Sequence, residues 1–225
     1  MRLKKWASVC IAALAMSGLM QPVLAYEAGD WLVRGRIINV GPNDDSGDLY
    51  TGAGNLGEGV SVNDDTVPEL DITYMLSPHW GLELILAYSQ HDVDSRRVPA
   101  GLGLGKVIDA KVLPPTLTLQ YHFLSNAAVR PYVGLGVNYA HFFGESVSGV
   151  LDQPGAKVKL DASWGLAAQA GVDIDINQDW FVNLDVKYID IQTEARFSGI
   201  NLVNTANINT EINPFVYGIG IGRRF

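Results

Sequence analysis

The sequence predicts an all-β protein: eight antiparallel strands closed into a transmembrane barrel, with short periplasmic turns and long extracellular loops. Three observations predict it. Large apolar residues alternate with small or polar ones in eight segments, which is the two-residue period of a strand. Aromatic residues gather near the ends of those segments, on the apolar face. The connections alternate between short and long.

The composition agrees. The chain has 225 residues, 48% of them hydrophobic and 18% charged, too apolar for a disordered chain. A single cysteine, Cys10, excludes a disulfide scaffold and a thiolate metal cluster. The net charge of −8 argues against nucleic-acid binding, which needs a basic face.

Residues 1–25 read as a cleaved secretory signal peptide. Arg2, Lys4 and Lys5 precede an apolar stretch that ends before Pro22, and Val23-Leu24-Ala25 offers a cleavage site. The apolar run is shorter than the ~20 residues of a membrane helix. Residues 26–225 are then one barrel domain, with 13 basic against 24 acidic side chains, a net charge of −11.

The strands follow in order. In 30–40, Trp31, Val33 and Ile37 oppose Arg34 and Arg36. In 68–77, Leu70, Ile72, Tyr74 and Leu76 oppose Glu69, Asp71 and Thr73. In 80–90, Trp80, Leu82, Leu84, Leu86 and Tyr88 oppose Glu83, Ile85, Ala87 and Ser89. In 114–124, Leu117, Leu119, Tyr121 and Phe123 oppose Thr116, Thr118, Gln120 and His122. In 129–142, Val133, Leu135, Val137 and Tyr139 oppose Arg130, Tyr132 and Asn138. Over 161–176 the alternation runs unbroken from Asp161 and Ala162 to Asp175 and Ile176. In 180–195, Trp180, Val182, Leu184, Val186 and Tyr188 oppose Asn183, Asp185 and Lys187. From 215, Phe215, Tyr217, Ile219 and Ile221 oppose Val216, Gly218, Gly220 and Gly222. Short turns fall near 77–79, 125–128 and 177–179, and long loops at about 41–67, 91–113, 143–160 and 196–210. A soluble sandwich also alternates, but it has no reason for an aromatic girdle or for a glycine-lined charged face.

Side chains nearly fill an eight-stranded barrel. The inward positions near the periplasmic end are charged: Arg34, Glu83, His122, Arg130, Asp173, Asp175, Asp185, Lys187 and Arg224. Both signs are present, which fits a paired plug or an ion-selective filter. Near the outer end the same face turns apolar: Ile38, Ile85, Ala87, Ala140, Phe142, Ile189 and Ile191. That fits a greasy pocket, or strands that project past the membrane and pack under the loops. Pro114 and Pro115 remove two N–H donors near the outer start of the fourth strand. They mark either a weak point in the wall or a harmless strand start.

Five pieces, in order, resemble the OmpW family of small outer-membrane barrels, including its AlkL branch. They are Leu113-Pro114-Pro115-Thr116-Leu117, Arg130-Pro131-Tyr132-Val133-Gly134, Asn138-Tyr139 with Phe142-Phe143, Asp161-Ala162-Ser163-Trp164-Gly165, and Tyr188-Ile189-Asp190-Ile191. The resemblance covers about 29–225. It implies a hydrophobic channel closed toward the periplasm, and uptake of small hydrophobic molecules that leave laterally through the wall into the membrane. It places Ile85 and Lys187 where the family narrows its lumen. Lys187 departs from members with tryptophan there and looks like the AlkL branch. It is expected to pair with Glu83 or Asp185. Arg223 also departs, because the third residue from the end is commonly aromatic. It either weakens the assembly signal or snorkels to the interface.

The expected partners are small hydrophobic solutes, outer-membrane lipids with lipopolysaccharide, and the barrel-assembly machinery through the C-terminal Phe225. No nucleic acid, cofactor or metal is expected, and no enzymatic activity. His91 with Asp92 and Asp94 is the one acid–base cluster, and loop residues of this kind are usually solvated. The alternative function is a structural, adhesive or receptor barrel acting through its loops. The acids of 41–67 (Asp44, Asp45, Asp48, Glu58, Asp64 and Asp65) either hold divalent cations with lipid headgroups or are simply solvated.

Overall fold

A computed structural model describes residues 25–43, 45–46, 50–51, 54–55, 60–95, 105–149, 152–200 and 203–225. Residues 1–24, which carry most of the expected signal peptide, lie outside the described residues, as do Asp44, Asp48 and Glu58.

Alternation produces eight strands that close into a ring. In chain order they are Trp31–Gly41, Asp65–Met75, Trp80–Ala87, Thr116–His122, Val129–Val147, Ser163–Asp175, Trp180–Ile189 and Phe215–Arg224. Each pairs antiparallel with its sequence neighbours. The first and last strands pair from Leu32↔Arg224 to Gly41↔Phe215, which closes the barrel. Closure gives each of the eight strands a partner on both sides, as a lipid environment demands. Turns at 76–79 and 176–179 join strands on the periplasmic side, each closed by backbone bonds to Trp80 or Trp180.

The outward face is apolar and open. Leu135, Leu166 and Trp164 are 71%, 69% and 75% exposed, an uneconomic arrangement in water and the expected one in lipid. Two aromatic belts bound it. Trp31–Tyr74 and Trp80–Tyr121 pack at 4.9 and 5.0 Å on the periplasmic side, and Tyr139–Trp164 and Tyr188–Phe215 at 4.7 and 5.2 Å on the outer side. Arg223 lies over the rings of Trp180 and Phe225, 5.5 and 4.7 Å from their centroids, so its charge reaches the interface across two aromatic faces.

The outer segments differ from the expected long loops. Much of 91–113, 143–160 and 196–210, and parts of 41–67, is strand. The third and fourth strands continue upward as Ser89–Ser95 paired with Lys106–Leu113, and the latter also pairs with the top of the fifth strand. A second sheet holds Lys157–Leu160, Gln192–Ile200 and Val203–Glu211. Two flaps therefore raise the wall above the outer aromatic belt. These segments are poor in apolar alternation because hydrogen bonds to neighbouring strands, rather than a lipid-facing stripe, hold them.

Candidate functional site

The lumen has two layers. The lower one is polar and filled. Arg34 reaches Asp173 through Nε and Nη2 at 3.2 and 2.8 Å, Thr73 at 2.7 Å and Glu83 at 3.3 Å. Arg36 meets Asp71 at 2.6 Å, Glu69 at 2.9 Å and Asp185 at 3.4 Å, and donates to Asn183 at 3.0 Å. The far oxygen of Glu83 accepts from Gln120 and Gln169, both at 2.7 Å, and from Thr118. Tyr132 donates to Asp185 at 3.0 Å. Gly171 makes room for that ring, since a Cβ there would lie 2.4 Å from the Tyr132 hydroxyl. Nearly all these groups are buried, and each charge has an opposite charge in contact. Such a network forms a buried, internally paired floor to the lumen.

Of the residues expected here, Arg34, Glu83, Asp173, Asp185 and Lys187 lie inside this network. His122 lies beside it, between the rings of Tyr26 and Tyr132 and against Gln120 Oε1 at 3.2 Å. Arg130 sits below, clamped to Asp175 and to the carbonyl of Ala127 at 2.8 Å. Of the two partners expected for Lys187, it takes Asp185 at 2.9 Å, and it adds Glu69 at 2.7 Å; Glu83 is occupied by two amides and Arg34. Arg36, Glu69 and Asp71 belong to the floor, and their inward parity already marked them.

Tyr26 was not legible. It is fully buried in the periplasmic mouth, donates to Asp173 at 2.9 Å, and carries Arg130 over its ring at 4.1 Å. Leu32, Met75 and Phe181 pack with it.

The upper layer is an apolar cavity of about 80 Å³. One water needs about 10–15 Å³ of such space, so the cavity has room for several water-sized groups. Ile38, Ile85, Ala87, Phe142, Ile189 and Ile191 line it, joined by residues of both flaps such as Val93, Ile108, Val112 and Ile208. Ala140 is fully buried in the same apolar cluster without facing the cavity. The two sequence readings of this region thus coincide: the strands project, and a greasy pocket lies between them.

Pro114 lines this cavity. Ladder pairing of the third and fourth strands stops at Ile85↔Thr116 and resumes at Ser89↔Val112. Between them, the Pro114 carbonyl accepts from the side chains of Asn138 and Thr116 at 3.0 and 3.1 Å, and the Pro115 carbonyl from Tyr139 N at 3.0 Å. The prolines thus immediately precede the fourth strand, in an interruption of its ladder with the third.

His91, Asp92 and Asp94 do not form a cluster. Alternation sends His91 into the cavity wall, while Asp92 pairs with Lys106 at 2.8 Å and Asp94 accepts from Asn63 at 3.2 Å. Among the loop acids, Asp64 and Asp65 accept from Asn39 and from Gln90 N.

The comparisons agree with this architecture. The model of the OmpW family matches residues 27–225. Outer membrane protein W of Vibrio cholerae serotype O1 is 36% identical over 222 residues, covering 97% of this chain and 99% of the relative. Dibenzothiophene metabolism operon protein PahQ of Pseudomonas aeruginosa is 31% identical over 209 residues, covering 92% and 93%. The crystal structure of the outer membrane protein OprG from Pseudomonas aeruginosa superposes with a TM-score of 0.84 at 38% identity, covering 90% of this chain and 99% of that one. An eight-stranded barrel with lipid-facing belts and a sequence match along almost its whole length identifies this chain as an outer-membrane protein that belongs to the OmpW family.

Proposed function

We propose that the protein admits small hydrophobic molecules passively. The solute enters the apolar cavity from outside, is turned back by the charged floor, and leaves sideways between the third and fourth strands into the membrane. The observation that carries this is the arrangement of three features: an aliphatic cavity, a floor of paired charges beneath it, and an interruption of the ladder beside it at Pro114 and Pro115. Burying an apolar solute there gains free energy in proportion to its area, whereas unpairing the floor costs several kcal/mol per ion. The sideways route is therefore the easier one. The relative named for a dibenzothiophene metabolism operon supports an apolar cargo. No covalent step is involved. Residues 1–25 serve as the cleaved leader, and Phe225, 63% exposed beside Trp31, presents the C-terminus to the assembly machinery.

Entry of octane into cells with and without the protein tests this. Faster octane entry, with a sugar of similar size unchanged, is the expected result. Replacing both Ile189 and Ile191 by Asp should return octane to the background rate while the barrel still folds. Equal octane rates with and without the protein would sink the route. They would favour the alternative, a receptor acting through the raised flaps.

A further inference from the structure

Ser89 and His91 face the cavity two residues apart on one strand. Ser89 Oγ lies 3.0 Å from His91 Nε2, and His91 Nδ1 lies 2.9 Å from the carbonyl oxygen of Asn63. A carbonyl can only accept, so Nδ1 carries the proton. In the neutral imidazole Nε2 is then the acceptor, and the Ser89 hydroxyl donates to it. The serine's one proton is committed. Its lone pairs remain, in a cavity walled at that level by Val93, Ile108 and Val112.

The other polar groups on the cavity wall are engaged differently. Thr116 donates to the Pro114 carbonyl and receives Asn138. Thr193 donates to the carbonyl of Asp161 at 2.8 Å. Glu69 is held by Lys187 and Arg36. Thr210 lines the cavity from the other flap, with no imidazole contact holding its proton. Ser89 is thus an oriented acceptor with no spare donor, and its partner residue Val112 lies just above the ladder interruption.

We infer that this pair is a subsite for the hydroxyl of an apolar solute. The preferred cargo is a small aliphatic alcohol or phenol, ahead of a hydrocarbon or ether of the same size. The inference rests on the proposed entry route and names its substrate class. An alcohol that leaves water loses its hydrogen bonds, and only a solute that can donate recovers one at Ser89. An ether has nothing to give a serine whose proton is already taken.

Three probes of equal heavy-atom count separate the ideas: 1-heptanol, its isomer methyl hexyl ether, and octane. Entry into cells making the protein is measured, corrected for cells without it. The expected result is heptanol ahead of the ether by roughly three- to tenfold, the worth of one net hydrogen bond. Ser89→Ala should abolish that preference. His91→Leu should also erase it, because the freed serine proton then serves the ether. His91→Gln should restore part of it, because its carbonyl can take the serine proton. Octane acceleration with heptanol and ether equal, or a preference that survives Ser89→Ala, would overturn the subsite and leave the route standing. No acceleration of any probe would overturn the route and the subsite with it.

Discussion

At the scale of single residues, Arg34 has the most to lose. It is fully buried between Asp173 and Glu83. Arg34→Met keeps the volume but strands the buried carboxylate of Asp173 and leaves Glu83 with Arg36 at 3.8 Å as its cation, which should cost about 3–5 kcal/mol. Urea unfolding of the barrel refolded into lipid bilayers would measure it, and a change under 1 kcal/mol would mean the floor is wetter than its burial implies. Tyr26→Phe is the milder companion. It removes one hydrogen bond to a charged acceptor and should cost about 1.5–3 kcal/mol in the same assay. Ion conductance should stay closed, because the ring of charges above remains intact. The two residues also differ in how far the sequence revealed them. Arg34 was readable because strand parity fixes which side chains turn inward. Tyr26 was not, since it precedes the first strand and no period governs where a coil folds back. Asp185 was readable as a partner of Lys187 and Glu69 was not, for a related reason: parity gives a side chain's face, but only the stagger between strands sets its height.

Elements show the same division. The eight lipid-facing stripes were legible because lipid rewards a large apolar residue at every second position. The flap strands were not. Ser-Gln-His-Asp-Val-Asp-Ser over Ser89–Ser95 has little apolar rhythm, and its extended form comes from pairing with Lys106–Leu113. That hairpin is clasped by Lys106, which bonds both Asp92 and Asp109. Hydrogen bonds from Lys106, and then from Ser148, hold the Asp109 carboxyl below the usual carboxylate range. A depressed value means that the clasp contributes fully above the unfolded value and fades as pH falls through the folded one. Below about pH 4, amide exchange in the hairpin should rise relative to the barrel strands. Unchanged relative protection at pH 3 would show that the ladder alone holds it. The wall itself has a position that cannot thicken. A Cβ on Gly165 would stand 1.8 Å from the carbonyl oxygen of Asp190, a backbone atom. Gly165→Val should therefore push the sixth and seventh strands apart and lower the unfolding midpoint, whereas Gly35→Val, where a Cβ meets nothing within 4 Å, should not.

For the whole molecule, closure is what matters most. The first and last strands are partners, so no stable edge exists until both are in place. Shortening the chain before Phe215 should abolish the compact form that migrates fast on unheated gels, instead of trimming its stability. The seam joins the first and last strands at the periplasmic rim: Phe225 N donates to the Trp31 carbonyl, and Trp31 N donates to the Phe225 carbonyl. A hydrogen-bonded circle has no privileged starting point. Its order of synthesis and its order in space are separate matters, so a circular permutant, with the ends linked by a few glycines and the chain reopened at Asn177–Asp179, would keep all eight pairings. Only the sequence in which the strands reach the membrane would change.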